Sequence, residues 1–428
     1  MKRMRLLTST LVATMLAVIL LAGSIAGAYA EPVTIRFWGG WTGPDADTMK
    51  GLTEQFMAEN PDITVEFESQ QWTPLFTQVF AEADSGGAPD VLAMHPLDMG
   101  QFVEMGLLDD TMAASLGLQK EDYSETAWNG TLYNGVQYGV PLDLHMHGLY
   151  YNKDKFEAAG IEAPPATGAE LIETAQRLTL DANGKNAAEE GFDKDNIVQY
   201  GLGFHQHHHI IFQLTGLLAQ QGETAFTADM TELAFNQELA AKALAWIQDF
   251  AYRYNTTPIG EASPPDDFKA GNIAMLIDGP WQMPSFKAAG VNFGTAPYPQ
   301  VFDQPAAWGS GHLFTFPLNN SGEAEKEAIK TFMAWMSQNS GKWAESGNIP
   351  ASATGREYAS TLENRQAFID SMPTMRLFPA HPKAAEIFSN AQGSPFINAA
   401  QSLMLEGTDP AQVVKTFVEE MNAELSAP

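Results

Sequence analysis

Six of the nine histidines fall into two short runs, His145 with His147, and His205 with His207, His208 and His209. A neutral imidazole donates from one ring nitrogen and accepts at the other, which suits paired hydrogen bonds to hydroxyl groups; it is also a common zinc ligand. Consecutive histidines on regular backbone point in different directions, and the chain has no cysteine to complete a sulfur-bearing zinc site. The sequence therefore predicts no resident metal and no cofactor. His145 and His207 are expected to meet a hydroxyl-rich ligand or to open a helix, with zinc capture as the rival reading. Flat aromatic faces are the second chemical resource. Trp38 and Trp41 bracket Gly39-Gly40, Trp72 follows Gln71, and His95 stands three residues before Asp98. Indoles stack on the apolar C–H faces of a sugar while amide, imidazole and carboxylate groups pair with its hydroxyls. A glycan-cleaving enzyme would need two carboxylates about 5–9 Å apart across the scissile bond. The 52 acidic residues offer no pair singled out by a motif, and no nucleophile elbow, P-loop or zincin signature occurs.

The elements that must position these groups follow from periodicity. Val33-Thr34-Ile35-Arg36-Phe37-Trp38 alternates like a strand and ends in Gly39-Gly40-Trp41-Thr42-Gly43-Pro44. A helix follows with Pro44 in its first turn and Met49, Leu52, Phe56 and Met57 on one face, stopping at Asn60-Pro61. A strand over Ile63–Glu68, a helix carrying Leu75, Val79 and Phe80, and a strand over Asp90–Met94 repeat the theme. Strand, loop, helix in this order predicts an α/β layer with a mostly parallel sheet, whose ligands sit beyond the carboxyl ends of the strands. That places Trp38, Trp41, Gln71, Trp72, His95 and Asp98 on three stacked loops. Further helices are expected near Ala169–Leu178, Leu239–Tyr252 and Glu325–Met336, with a strand over Gly271–Ile277. Asp181-Ala182-Asn183-Gly184-Lys185 looks like a calcium loop but lacks the closing Glu and is read as a hairpin.

Lys2, Arg3 and Arg5 precede an apolar stretch from Leu11 to Ala22 and an Ala28-Tyr29-Ala30 triplet, the pattern of a secretory leader cleaved after Ala30. No later stretch is apolar enough to span a bilayer, so the mature chain is expected to be a soluble periplasmic monomer. Without cysteine there is no lipid-attachment site and no disulfide, and an ordinary hydrophobic core must hold the fold. The formal charge of −29 becomes more negative once the basic leader is lost, which argues against a nucleic-acid partner. Some 400 mature residues exceed one comfortable core, so two lobes are expected.

Several stretches together resemble the extracellular solute-binding proteins of carbohydrate ABC importers, the group of maltose- and glycerol-3-phosphate-binding proteins. They are Ile35-Arg36-Phe37-Trp38, Phe56-Met57-Ala58-Glu59-Asn60-Pro61, Gly87-Ala88-Pro89-Asp90-Val91, Gly139-Val140-Pro141, Leu149-Tyr150-Tyr151-Asn152-Lys153, Gly279-Pro280-Trp281 and Gly347-Asn348-Ile349-Pro350. The resemblance implies an α/β two-lobed periplasmic-binding-protein fold with hinge-linked lobes and an interlobe ligand cleft. It implies one lobe from 31–143 plus 300–345 and another from 144–299 plus 346–428, with crossings near Asp143–Gly148 and Tyr298–Trp308. It makes Trp281 the cleft tryptophan, puts Asp143 and His145 where the first crossing passes the ligand, and likens Gly309-Ser310-Gly311 to a loop whose backbone approaches it. Ser310 and His312 join the binding candidates there, as does Arg376 from a segment that closes over the cleft. The implied activity is capture of a sugar and its delivery to ABC permease subunits. A sugar acid or a polyol phosphate is the alternative ligand, and a zinc-binding protein or a glycan-active enzyme the alternative function.

Overall fold

The computed structural model describes residues 32–83, 85–227, 231–260, 262–387 and 393–427, so the leader and its cleavage position after Ala30 lie outside the described residues. Among those residues no helix is long and apolar enough to cross a membrane. The strands are β1 Val33–Gly39, β2 Ile63–Ser69, β3 Val91–Met94, β4 Leu132–Tyr133, β5 Val136–Gln137, β6 Gly139–Met146, β7 Gly148–Asn152, β8 Leu180–Asp181, β9 Ile197–Phe204, β10 Ile273–Asp278, β11 Phe293–Pro297, β12 Ala307–Thr315, β13 Ile349–Pro350 and β14 Met375–Leu377. One sheet has the order β13-β6-β12-β3-β1-β2, with β14 pairing the start of β12; a second has the order β11-β7-β10-β9-β8; β4 and β5 form a hairpin. This is the two-lobed α/β architecture that the sequence predicts.

The sheets are mixed, which corrects the expectation of a mostly parallel layer. β1 pairs parallel with β2 and β3, the part written as strand, helix, strand. β12 pairs antiparallel with β3 and with β6, and β13 antiparallel with β6. Those strands enter from other parts of the chain without a crossover helix between neighbours, and nothing then enforces a parallel direction. A second correction concerns Gly309-Ser310-Gly311, which lies inside the nine-residue β12 rather than on a loop. A third concerns His95-Pro96-Leu97-Asp98: His95 is the N-cap and the other three form the first turn of a helix, with Pro96 at a position whose N–H would be unpaired anyway.

Five helices matter for the site: α1 Pro44–Glu59, α2 Trp72–Ala83, α3 Pro96–Glu104, α4 His209–Gln220 and α5 Glu323–Trp343. In the first lobe Ile35 and Phe37 of β1 pack between Met49, Leu52 and Phe56 of α1 and Ile329, Phe332 and Met336 of α5. In the second, Leu202, Phe204, Met275 and Ile277 lie under Leu214 and Leu217 of α4, with Leu244, Ile247, Val414 and Phe417 from later helices. Each such side chain, fully buried, contributes about 1.5–3 kcal/mol, so each lobe has a core of its own.

Two chain segments join the sheets. β6 runs into β7 through the single residue His147, whose backbone N–H donates to the Trp308 carbonyl at 3.0 Å. Residues 298–306 connect β11 to β12 and are fixed by the buried Gln220 at the end of α4. Its amide donates to the Pro299 and Ala306 carbonyls at 3.0 and 2.9 Å and accepts from the Val301 and Phe302 N–H groups at 2.6 and 3.1 Å.

Candidate functional site

The site begins with a strand register. β6 and β12 pair Asp143 with His312 and His145 with Ser310, and the register slips between His312 and Leu313, leaving Leu142 as an extra residue on β6. Such a bulge re-aims the side chains beside it. A Cβ on Gly311 would stand 2.4 Å from the Asp143 carbonyl oxygen, so only glycine lets the strands approach this closely. The buried Asp143 carboxylate accepts from His312 Nδ1 at 2.7 Å, His145 Nδ1 at 3.3 Å, Trp343 Nε1 at 2.6 Å and the His312 backbone N–H at 3.1 Å. Burial alone would raise its pKa, but the His312 and His145 rings outweigh burial and hold it well below the usual carboxylate range. Burial pushes His312 down to about 4 and His145 below its ordinary value, against the pull of Asp143. Both rings are therefore neutral near pH 7, and with Nδ1–H donated to Asp143 each Nε2 keeps its lone pair.

Around this pair stand aromatic walls. Trp72, the first residue of α2, stacks on His312 with ring centres 5.4 Å apart and planes 15° apart, and Trp41 meets Trp72 edge-on at 5.7 Å. A Cβ on Gly40 would fall inside the Trp72 ring, 1.8 Å from its nearest atom, which explains the Gly39-Gly40 step before Trp41. His95 points Nδ1 to Asp98 Oδ2 at 3.1 Å and lies 4.4 Å from the Trp72 ring centre. From the second lobe, β10 ends at Asp278 and the chain turns through Gly279-Pro280 to Trp281, whose ring meets His145 edge-on at 5.4 Å. Phe212 of α4 stacks flat on Trp308, 4.3 Å apart with planes 1° apart.

The later histidines line the second lobe's side. His205 Nε2 meets Asp278 Oδ2 at 3.0 Å; burial opposes its charge, but Asp278 prevails and its pKa lies above the ordinary value. The others are held neutral: burial, and then the neighbouring imidazoles, push His208 down to about 3, and burial with His205 pushes His207 down to about 4. Ring nitrogens of His207, His208 and His209 all lie within 4.8 Å of one another. They converge because the backbone here is not regular: His207 and His208 precede the helix, and only His209 belongs to α4.

A cavity of about 590 Å³ opens between these walls. Of the residues singled out in the sequence, Trp41, Gln71, Trp72, His95, Asp98, His145, Trp281, Ser310 and His312 line it. Four do not. Trp38 is packed with Leu75, Val79 and Leu92 in the first lobe, because β1 is covered on both faces. Asp143 sits beneath the histidines that it orients. His207 stands behind His208 and His209, which do line the cavity. Arg376 is exposed on β14, its guanidinium donating to the Met375 carbonyl at 2.9 Å. The sequence reading missed Asp45, Phe212, Trp308 and Asn348. Burial raises the Asp45 pKa to about 6, against the hydrogen bond from the Ala46 N–H. Asn348 Oδ1 is buried without a partner, and its place in the Gly347-Asn348-Ile349-Pro350 stretch was the available signal. Phe212 and Trp308 carry no signal, since each reads as core.

With this geometry in hand, the comparisons with known proteins are consistent. Residues 51–366 match the family described as bacterial extracellular solute-binding protein. The chain is 24% identical over 391 residues to the maltodextrin-binding protein MdxE of Bacillus subtilis, covering 87% of each chain. Among solved structures it is similar to the maltose/maltodextrin-binding domain MalE of Bdellovibrio bacteriovorus bound to maltotriose, with TM-score 0.76, 20% identity, and 92% and 100% of the two chains covered. It is likewise similar to a solute-binding protein of Thermotoga lettingae bound with α-D-tagatose, with TM-score 0.76, 23% identity and the same coverage.

Proposed function

The chain belongs to the bacterial extracellular solute-binding family, and from that membership we propose that it is the receptor of an ABC importer, holding a neutral sugar in the cavity and passing it to the permease subunits. The observation that carries the reading is the cavity wall: indoles of Trp41, Trp72, Trp281 and Trp308 beside the hydrogen-bonding groups of Gln71, His145, Ser310, His312 and Asn348. Its volume of about 590 Å³ falls within the range of about 300–1,000 Å³ usual for small-molecule sites. No arginine or lysine lines it among the described residues, which favours a neutral mono- or oligosaccharide over a phosphorylated or acidic one. With β1–β3, β6 and β12–β14 in one sheet and β7–β11 in the other, ligand is expected to draw the two sides together about His147 and residues 298–306. The protein acts as a periplasmic monomer after its leader is removed, and it binds its sugar without turning it over.

The test is thermal melting of the mature protein, with chelator present, against maltooligosaccharides, monosaccharides, sugar acids and polyol phosphates. A neutral sugar class is expected to raise the melting temperature, by an added stability of about 2.7 kcal/mol at a hundredfold excess over Kd. Small-angle scattering should show compaction with the same ligand. A panel in which no sugar acts, or in which the sugar is converted to product, would overturn the proposal.

A further inference from the structure

We propose that His95, His145 and His312 bind one divalent transition-metal ion of the zinc class at the floor of the cavity. One ring nitrogen from each lies within 4.8 Å of one from each of the others. The ring centres are 4.6 Å apart for His145 and His312, 5.1 Å for His95 and His312, and 6.1 Å for His95 and His145. The three come from separate elements, the N-cap of α3, β6 and β12, so no local backbone pattern accounts for their meeting. Zinc–nitrogen bonds of about 2.0–2.1 Å place tetrahedral ligand atoms about 3.3 Å apart, so ring nitrogens now within 4.8 Å of one another must draw together to hold the ion.

The outer partners strengthen the case. Nδ1 of every ring already faces a carboxylate: His95 that of Asp98 at 3.1 Å, His145 and His312 that of Asp143 at 3.3 and 2.7 Å. This leaves Nε2 of each ring as the nitrogen open to an ion, and it is the carboxylate–histidine–metal arrangement that fixes ring orientation and raises ligand basicity. Two carboxylates behind the rings also balance a doubly charged ion in a buried place. Three protein nitrogens leave a fourth position toward the cavity, which water or a ligand oxygen fills. The other histidine group lacks these features. His207 and His208 face each other through Nδ1 at 3.0 Å, His209 Nδ1 meets His147 Nε2 at 2.9 Å, and among the described residues no carboxylate is bonded to any of the three.

The site does not depend on the sugar reading and is tested without sugar. Mature protein stripped with chelator and dialysed is titrated with Zn²⁺ by calorimetry and with Co²⁺ by visible absorption. One ion per chain is expected, with the intense visible bands of four-coordinate cobalt. Affinity should fall by about tenfold or more in His95→Gln and in His312→Gln, and by about tenfold in Asp98→Asn, which removes only an orienting partner. His208→Gln should leave it unchanged. Because His312 is buried, His95→Gln is the decisive variant; its unaltered metal-free melting temperature will establish that it folds. Absence of stoichiometric binding in the parent protein, or binding that survives His95→Gln and is lost in His208→Gln, would overturn the proposal. Sugar binding in chelator without zinc binding would sink the metal site alone, and the converse would sink the sugar reading alone.

Discussion

The two sides of the cleft carry histidines in opposite ways. On the first lobe, residues 95, 145 and 312 are far apart in the chain, and each is aimed by a carboxylate. On the second, residues 205, 207, 208 and 209 are neighbours, yet Asp278 orients only His205 and the remaining rings lean on one another and on His147. Density along the sequence draws the eye to the second group. Organisation in space belongs to the first, because strand pairing and a helix cap can fix a ring more firmly than the next residue can.

The largest test of that contrast is Asp143→Ala. It leaves two imidazoles, the Trp343 indole and the His312 backbone N–H buried without their shared acceptor, and should cost about 3–5 kcal/mol in urea unfolding. Asp278→Ala, which frees His205, Gln282 and the Gly279 N–H, should cost less, about 1–3 kcal/mol. Equal costs would break the comparison. Next come the tryptophans. Trp281→Ala should weaken sugar binding about tenfold, near 1.4 kcal/mol, with little change in melting temperature. Trp72→Ala should lower both, because its ring also covers His312; ligand titration and melting of the two variants separate the roles. The smallest effect is a pH slope. Below pH about 6.5 an unfolded chain protonates imidazoles that the folded cluster refuses, since His207 and His208 are pushed down to about 4 and about 3. Stability should therefore decline as pH falls from about 6.5 toward 4, and His208→Gln should flatten the decline. His205, raised by Asp278, works in the other direction, while the neutral His147 and His209 complete the surroundings. A steeper slope in His208→Gln would contradict the buried neutral ring.

Most of the scaffold was legible because it repeats local patterns. The strand into Gly39-Gly40, the helix begun by Pro44 and the Ile273–Asp278 strand ending before Trp281 all stand where their apolar periodicity places them. Trp38 misled because alternation separates two faces of a strand without saying that both are covered. Arg376 misled because a cation near a cleft segment says nothing of which way β14 turns it. The Asp143–His312 contact spans 169 residues and depends on a one-residue bulge at Leu142. No local signal contains it. Family likeness supplied the neighbourhood of that contact, and only the register supplied the bond.

One helix has a mechanical meaning beyond packing. α4 starts at His209 in the cavity and ends at Gln220, whose side chain grips the 298–306 segment through four hydrogen bonds. Its twelve residues form a rod of about 18 Å. Such a rod neither stretches nor bends appreciably, so a push at its cavity end arrives at the joint as a tilt. A ligand pressing on His209 would thus move one arm of a lever whose other arm is bolted to the segment between the sheets.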